Sequence, residues 1–198
     1  MDAQTGIYVA EDKDGNGLRN DADRYLHKFI GQIFYGGLQN SIRYGQFNLD
    51  FLISFTKQNG NSFLSGTGLS PGFFLNASPL TNQPVAMLNR WQNPGDQTSL
   101  PKFSSTAAGF TNFGIGTREG SQSISDNSFA RLKNVSISYQ LPKQWLAKAK
   151  IKALEFNLQG QNLFTITNFE GLDPENSGAV SSRLPPLRTF TMGFKITL

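Results

Sequence analysis

Apolar and polar side chains alternate with period two in five stretches of the chain. The last stretch is the most regular. Phe190, Met192, Phe194, Ile196 and Leu198 fall on one face, and Thr189, Thr191, Gly193, Lys195 and Thr197 fall on the other. Successive side chains of a β-strand point to opposite faces, so this pattern predicts a strand with one apolar and one polar surface. In the run from Phe47 to Thr56, the residues Phe47, Leu49, Phe51, Ile53 and Phe55 oppose Asn48, Asp50, Ser54 and Thr56, with Leu52 as the exception. Ahead of it, Phe34, Gly36, Leu38, Ile42 and Tyr44 alternate with Tyr35, Gly37, Gln39, Ser41 and Arg43. Gly45-Gln46 separates these two runs and predicts a tight hairpin turn with glycine at a positive φ. A fourth strand is expected from about Arg131 to Leu141, where Val135, Ile137, Tyr139 and Leu141 oppose Asn134, Ser136, Ser138 and Gln140 before Pro142 stops it. A fifth is expected from about Lys152 to Thr165, with Leu154, Phe156 and Leu158 opposing Glu155, Asn157 and Gln159. Its alternation breaks at Gly160-Gln161-Asn162, and Asn162 falls on the apolar parity, which predicts a bulge. Lys143 to Ile151 reads as a short helical turn.

The connections between these strands alternate in length. Gly45-Gln46 and the segment from Pro142 to Ile151 are short, whereas 57–128 and 166–188 are long and rich in Gly, Ser, Asn and Pro. A stretch of some seventy residues without regular structure exceeds what compact domains usually tolerate, so it is a functional loop or the mark of a different architecture. Short periplasmic turns and long extracellular loops are the asymmetry of an outer-membrane barrel. With the chain terminus placed in the periplasm, both short turns fall there, and the polar residues 1–30 and the two long loops fall outside. Tyr44, Phe47, Tyr139 and Trp145 then cluster at the short-turn end, where an aromatic girdle belongs. Arg43, Asp50, Glu155 and Lys195 lie on the polar parity, toward a wet lumen.

Composition supports a β-protein with one apolar and one wet face. Aromatic residues are 12% of the chain, 17 of them Phe, while charged residues are only 16%, below the usual quarter. The net charge of +4 is mild and dispersed, and no basic stripe or motif points to nucleic acid. No Cys is present, which excludes disulfides and thiolate metal sites. Met1-Asp2-Ala3-Gln4 has neither a basic start nor an apolar run, so no signal peptide is expected at this end. No apolar run approaches the roughly 18 residues of a spanning helix; a membrane would have to be crossed by strands.

An ordered set of motifs sharpens this reading. Ser128-Phe129-Ala130-Arg131-Leu132-Lys133-Asn134-Val135-Ser136-Ile137-Ser138-Tyr139 resembles the "RLKNVSLSY" strand of SusC/RagA-like TonB-dependent transporters. Gly160-Gln161-Asn162-Leu163-Phe164-Thr165 resembles their "G-[RQ]-N-L-F-T" segment, and Asp173-Pro174-Glu175 follows at the family's usual distance. Leu184-Pro185-Pro186-Leu187-Arg188-Thr189-Phe190-Thr191-Met192-Gly193 is similar to their "P-x-x-R-x-[YF]-x-x-G" entry to the final strand. Arg90-Trp91 with Asn93-Pro94 resembles a loop segment of the same group. The set runs from about residue 11 to the end of the chain. Leu198 departs from it, since such barrels usually end in Phe or Trp.

The resemblance implies an all-β fold. Residues 1–198 would be about five antiparallel transmembrane strands with long extracellular loops, the C-terminal part of a TonB-dependent receptor barrel of about 22 strands with a plugged lumen. The plug, the N-terminal strands and the segment that engages the TonB complex would lie outside this chain. The implied function is nutrient uptake across the outer membrane, importing glycans or peptides with a SusD-like surface lipoprotein as partner. The competing expectation is a secreted or surface β-sandwich that binds carbohydrate and carries a calcium loop. In a sandwich a facing sheet covers the apolar faces, and in a barrel lipid does.

One local constellation carries metal chemistry. In the stretch from Asp12 to Asp23, Asp12, Asp14 and Asn16 stand at loop positions one, three and five, with Gly17 at the sharp turn of position six. Leu18 offers its carbonyl at position seven and Asp23 closes at position twelve. The spacing suits Ca²⁺, a hard cation that takes oxygen ligands, and it resembles the dockerin variant in which Asp closes the loop. Arg19 stands where an apolar residue usually packs, and no flanking helix pair is evident. The competing reading is an Asp/Asn/Gly-rich surface turn.

Catalysis finds no support in the sequence, and no enzyme is expected. His27 is the only histidine, which excludes a multi-histidine zinc site and leaves any triad resting on one residue. Asp173 and Glu175 could be imagined as a glycosidase pair, but Asp-Pro-Glu in such a loop is more often a turn. The Gly66/Gly68 and Gly114/Gly116 pairs lack the context of a phosphate cradle. Lys143, Lys148, Lys150 and Lys152 beside Trp145 read either as an anchor at an anionic leaflet or as a solvated turn. Trp91, Phe73, Phe74 and Phe113 either stack on sugar rings or pack the long loop.

Overall fold

The structure, a computed structural model, describes residues 1–63, 70–72, 82–176 and 184–198. Among these residues are six strands: β1 (Gly31–Tyr44), β2 (Phe47–Asn61), β3 (Ile124–Asp126), β4 (Phe129–Gln140), β5 (Ala153–Thr167) and β6 (Thr189–Thr197). They join in one sheet of order β1-β2-β4-β5-β6, with β3 alongside the end of β2. The β2–β3, β2–β4, β4–β5 and β5–β6 pairings are all antiparallel. Five strands were legible in the sequence; the sixth, β3, is three residues long and too short to show a period. The turn between β1 and β2 has Gly45 at φ 59°, as the Gly-Gln pair predicts. The connection between β4 and β5 folds as the short helix α2 (Lys143–Leu146, numbered after α1 below) followed by a 3-10 turn (Ala147–Ala149), pinned by the buried Leu146.

By their contacts the residues form two units. One comprises 32–58, 127–174 and 184–198 and holds the main sheet. Its register turns the sequence alternation into rows. Phe47, Tyr139, Phe156 and Phe194 line up across four strands, followed by Leu49, Ile137, Leu158 and Met192, then Phe51, Val135, Gly160 and Phe190. Paired residues share a face, so these rows form one continuous apolar surface. Much of it is exposed: Met192 is 84% exposed and Phe194 67%. The Phe47 and Tyr139 rings meet at 4.4 Å at the short-turn end. The opposite surface is polar, with Asn48, Ser138, Asn157 and Gly193 in one row and Asp50, Ser136, Gln159 and Thr191 in the next. Glu155 and Lys195 stand directly opposite each other.

A bulge then resets the register. The β4–β5 pairing passes from Asn134↔Gln161 to Leu132↔Phe164, leaving Lys133 extra on β4 and Asn162 and Leu163 extra on β5. Asn162 takes φ 53°, a left-handed conformation that asparagine tolerates better than most residues. The Leu163 side chain folds over Gly160, where a Cβ would come within 2.8 Å of it. A slip of one residue exchanges the faces of a strand. Past the bulge, Leu132 joins Ile53 and Phe164 on the apolar side, and Arg131 joins Ser54 and Thr165 on the polar side.

The other unit comprises 1–31, 59–126 and 175–183. Its core is Tyr8, Met87, Leu100 and the almost fully buried Phe113, with Phe63 packed against it. Phe113 lies on α1 (Ala107–Gly114), which Thr106 caps by accepting a bond from the Gly109 amide. A π-turn (Ile115–Glu119) continues it. Gly116 lets Tyr8 approach so closely that a Cβ there would meet its ring at 2.4 Å. Thus the long polar stretch is not structureless: distant segments of low hydrophobicity bury a small core together.

Candidate functional site

Two places gather charged or polar groups in a specific geometry. The first lies on the polar face of the sheet. Arg131, set there by the bulge, donates from Nη2 to Asp173 Oδ2 at 2.7 Å and from Nε to Thr165 Oγ1 at 2.8 Å. Both charged side chains are about 2% exposed. The Arg131 guanidinium also sits 5.4 Å over the Phe129 ring. Beside it Gln58 donates from Nε2 to the carbonyls of Asn127 (3.1 Å) and Pro174 (2.8 Å), and its own carbonyl accepts the Asn127 amide. Ion pairs this deep are held by extra hydrogen bonds, because desolvation otherwise offsets the Coulomb attraction. Sequence reasoning did not find this cluster. Arg131 and Asp173 both stood in recognised motifs, but only the bulge brings the arginine to the right face.

The second place is the acidic turn. Ligand oxygens of Asp12, Asp14 and Asp23 all lie within 4.8 Å of one another. Two oxygens on opposite sides of a calcium ion stand about 4.6–5.2 Å apart, twice the usual Ca–O distance, so the cluster has the size of such a site. The backbone shapes it. Gly15 and Gly17 take φ 72° and 76°, and their amides donate to the two oxygens of Asp12 at 2.8 Å each. Asp14 accepts from the amide and side chain of Asn16, and Asn16 Oδ1 accepts the Leu18 amide. The Leu18 carbonyl accepts from Asn20 Nδ2 at 3.4 Å. Asp23 ends a single 3-10 turn (Asp21–Asp23) capped by Asn20 and accepts the amides of Asn20 and Lys13. Those two amide bonds hold its carboxyl below the ordinary value of 3.8. Its contribution to folding is therefore present above that value and lost as pH falls through the lower folded one. Arg19, the misfit of the motif, forms an ion pair with Glu119.

The remaining candidates have structural explanations. His27 is exposed and edge-on to Tyr25. Asp173 is engaged by Arg131 in a buried ion pair. Gly114 ends α1, and Gly116 makes room for Tyr8. Phe113 is core, and Trp91 packs against Gly6 while its indole N–H donates to the Ala3 carbonyl at 2.7 Å. Gly66, Gly68, Phe73 and Phe74 lie outside the described residues. Trp145 and the four lysines around it are exposed.

Tyr8 supplies a pH signature. Its hydroxyl donates to the Ser99 carbonyl at 2.5 Å, and burial pushes its pKa from 10.0 up to about 12. The unfolded chain ionises first, so the stability tied to this phenol is whole below pH 10 and declines as pH rises from there toward 12. Spectrophotometric titration is expected to show a phenol ionising near 12. Tyr8→Phe should remove that step and cost about 0.5–1.5 kcal/mol for the lost bond.

One sheet with an apolar surface on one side, a polar surface on the other and short turns alternating with long loops defines a segment of β-barrel wall. Among the described residues no second sheet covers the apolar side, as a sandwich requires. No protein-family model matches the chain. It is 31% identical over 211 residues to TonB-dependent receptor P3 of Formosa agariphila, covering 98% of this chain and 19% of that protein. It is 23% identical over 188 residues to TonB-dependent receptor SusC of Bacteroides thetaiotaomicron, covering 93% and 17%. Among solved structures, the RagAB peptide transporter matches with a TM-score of 0.67 at 23% identity, over 99% of this chain and 22% of that one. The chain is a SusC/RagA-like TonB-dependent receptor segment. It spans about a fifth of the length of these relatives.

Proposed function

We propose that the chain works as the C-terminal barrel portion of an outer-membrane TonB-dependent importer of glycans or peptides. A SusD-like surface lipoprotein captures cargo for it, and the TonB complex drives it through an N-terminal part that also carries the plug. The observation that supports this most is the apolar surface running in register across β2, β4, β5 and β6, with no second sheet over it among the described residues. The RagAB structures are named for a peptide cargo. Uptake in cells that carry the full-length gene or lack it, measured with labelled oligosaccharides and peptides, tests the reading. Equal uptake of both cargo classes with and without the gene would sink it.

We further propose that Asp12, Asp14, Asn16, Leu18 and Asp23 bind Ca²⁺ and stiffen this loop. Three carboxylates gathered in one turn repel each other unless a cation lies among them. Isothermal titration is expected to show one site with a Kd of about 10⁻⁴–10⁻³ M, the range of extracellular modules. Asp12→Asn with Asp23→Asn should abolish the heat. No heat from the unaltered protein at millimolar calcium would reject the site.

A further inference from the structure

We propose that residues 168–174 form a fixed strap folded inward over the polar face, narrowing the transport path there. This rests on the reading of the polar face as an importer's lumen. After Thr167 the chain carries Asn168 and Glu170, both exposed, and could have run straight into solvent. It turns back instead. Gly171 permits the turn: the Phe169 ring fills the space where a Cβ would come within 2.4 Å. The turn buries Asp173 and Pro174 against polar-face residues of two strands, and a third strand braces one of those residues. Gln58 of β2 holds the Pro174 carbonyl at 2.8 Å, Arg131 of β4 holds the Asp173 carboxylate at 2.7 Å, and Thr165 of β5 steadies Arg131. Arg131, Ser54 and Thr165 share one row of the polar face, and the Ser54 hydroxyl oxygen is buried without a hydrogen-bond partner. A desolvated ion pair braced by neutral hydrogen bonds does not open readily, so the strap is a standing constriction and not a lid. Leu172, left exposed on it, is the apolar side chain it presents.

The chain has no cysteine, so single cysteines placed in it report on it cleanly once any cysteine elsewhere in the full-length protein is replaced by serine. In the full-length protein in membranes, Ser54→Cys is expected to react slowly with a charged maleimide. Adding Asp173→Asn should speed the reaction about tenfold or more, as local protection is lost. Gln58→Ala, which spares the ion pair, should speed it several-fold even if Asp173→Asn fails to fold. A bulky maleimide on Leu172→Cys is expected to slow uptake, while a methyl label there leaves it unchanged. Asp50→Cys, exposed on the same face, separates the two readings. If the bulky label blocks uptake at Asp50→Cys but not at Leu172→Cys, the strap does not narrow the path and the proposal falls. If neither label affects uptake, the lumen reading itself is wrong. Equal labelling of Ser54→Cys with and without Asp173→Asn and Gln58→Ala would show that no latch holds the strap.

Discussion

Asp173→Ala is expected to destabilise the folded protein by about 3–5 kcal/mol, the usual cost of breaking a buried ion pair by removing one partner. Thr165 and the Phe129 ring offer Arg131 a neutral oxygen and a π-face, not a counter-charge. The guanidinium must then stay in a dry site without its carboxylate or pull out of it. Asp173→Asn should cost less, since an amide oxygen can still accept. Replacing both partners by apolar residues of similar size, Arg131→Met with Asp173→Leu, should recover most of the loss, because the desolvation penalty disappears with the charges. Urea titration of the lipid-embedded protein, followed by gel mobility of the folded barrel, reads these differences. A double variant as unstable as the alanine variant would show that the cluster's worth lies in geometry and not in charge.

Phe51→Arg should cost about 2–4 kcal/mol in the membrane-embedded protein. Five apolar rows run along the sheet, from Phe47 to Phe55, and Phe51 stands in the third. Four intervals of two residues make about 27 Å along the strands, or about 20 Å across a bilayer at the usual tilt. The Phe51 row is therefore closest to the midplane, where a charge is hardest to solvate. Asp50→Arg, one residue away on the polar face, is the control and should change stability by no more than about 0.5 kcal/mol. Membrane insertion of the two variants from urea gives the comparison. An equal small effect at both positions would mean that water bathes both faces.

The strands were readable because each carries its own instruction. Alternation over 9–15 residues fixes two faces for β1, β2, β4, β5 and β6, and no distant contact is needed to see it. The turn at Gly45 and the bulge at Asn162 were readable for a similar reason, since each rests on a local backbone conformation that few residues tolerate. The acidic turn was legible as spacing, and the structure draws its three carboxylates together. The latch was not legible. Its partners lie 42 residues apart for Arg131–Asp173 and 116 apart for Gln58–Pro174. Period counting places Arg131 with Val135 and Ile137, and only the extra Lys133 moves it to the other face.

The small core of the loop unit was hidden in the same way. Tyr8, Met87, Leu100 and Phe113 show no common period, and Tyr8 bonds to Ser99 across 91 residues. By itself the sequence determined the strands, their apolar and polar faces, the alternation of short and long connections and the kinship these carry. Only the tertiary structure decided which strands neighbour each other, where the register slips, which charge is buried against which, and how the loop after β5 turns back over the sheet. Face and turn are properties of neighbouring residues along the chain. Pairing, register and burial depend on groups that meet only once distant segments have paid the entropy of coming together.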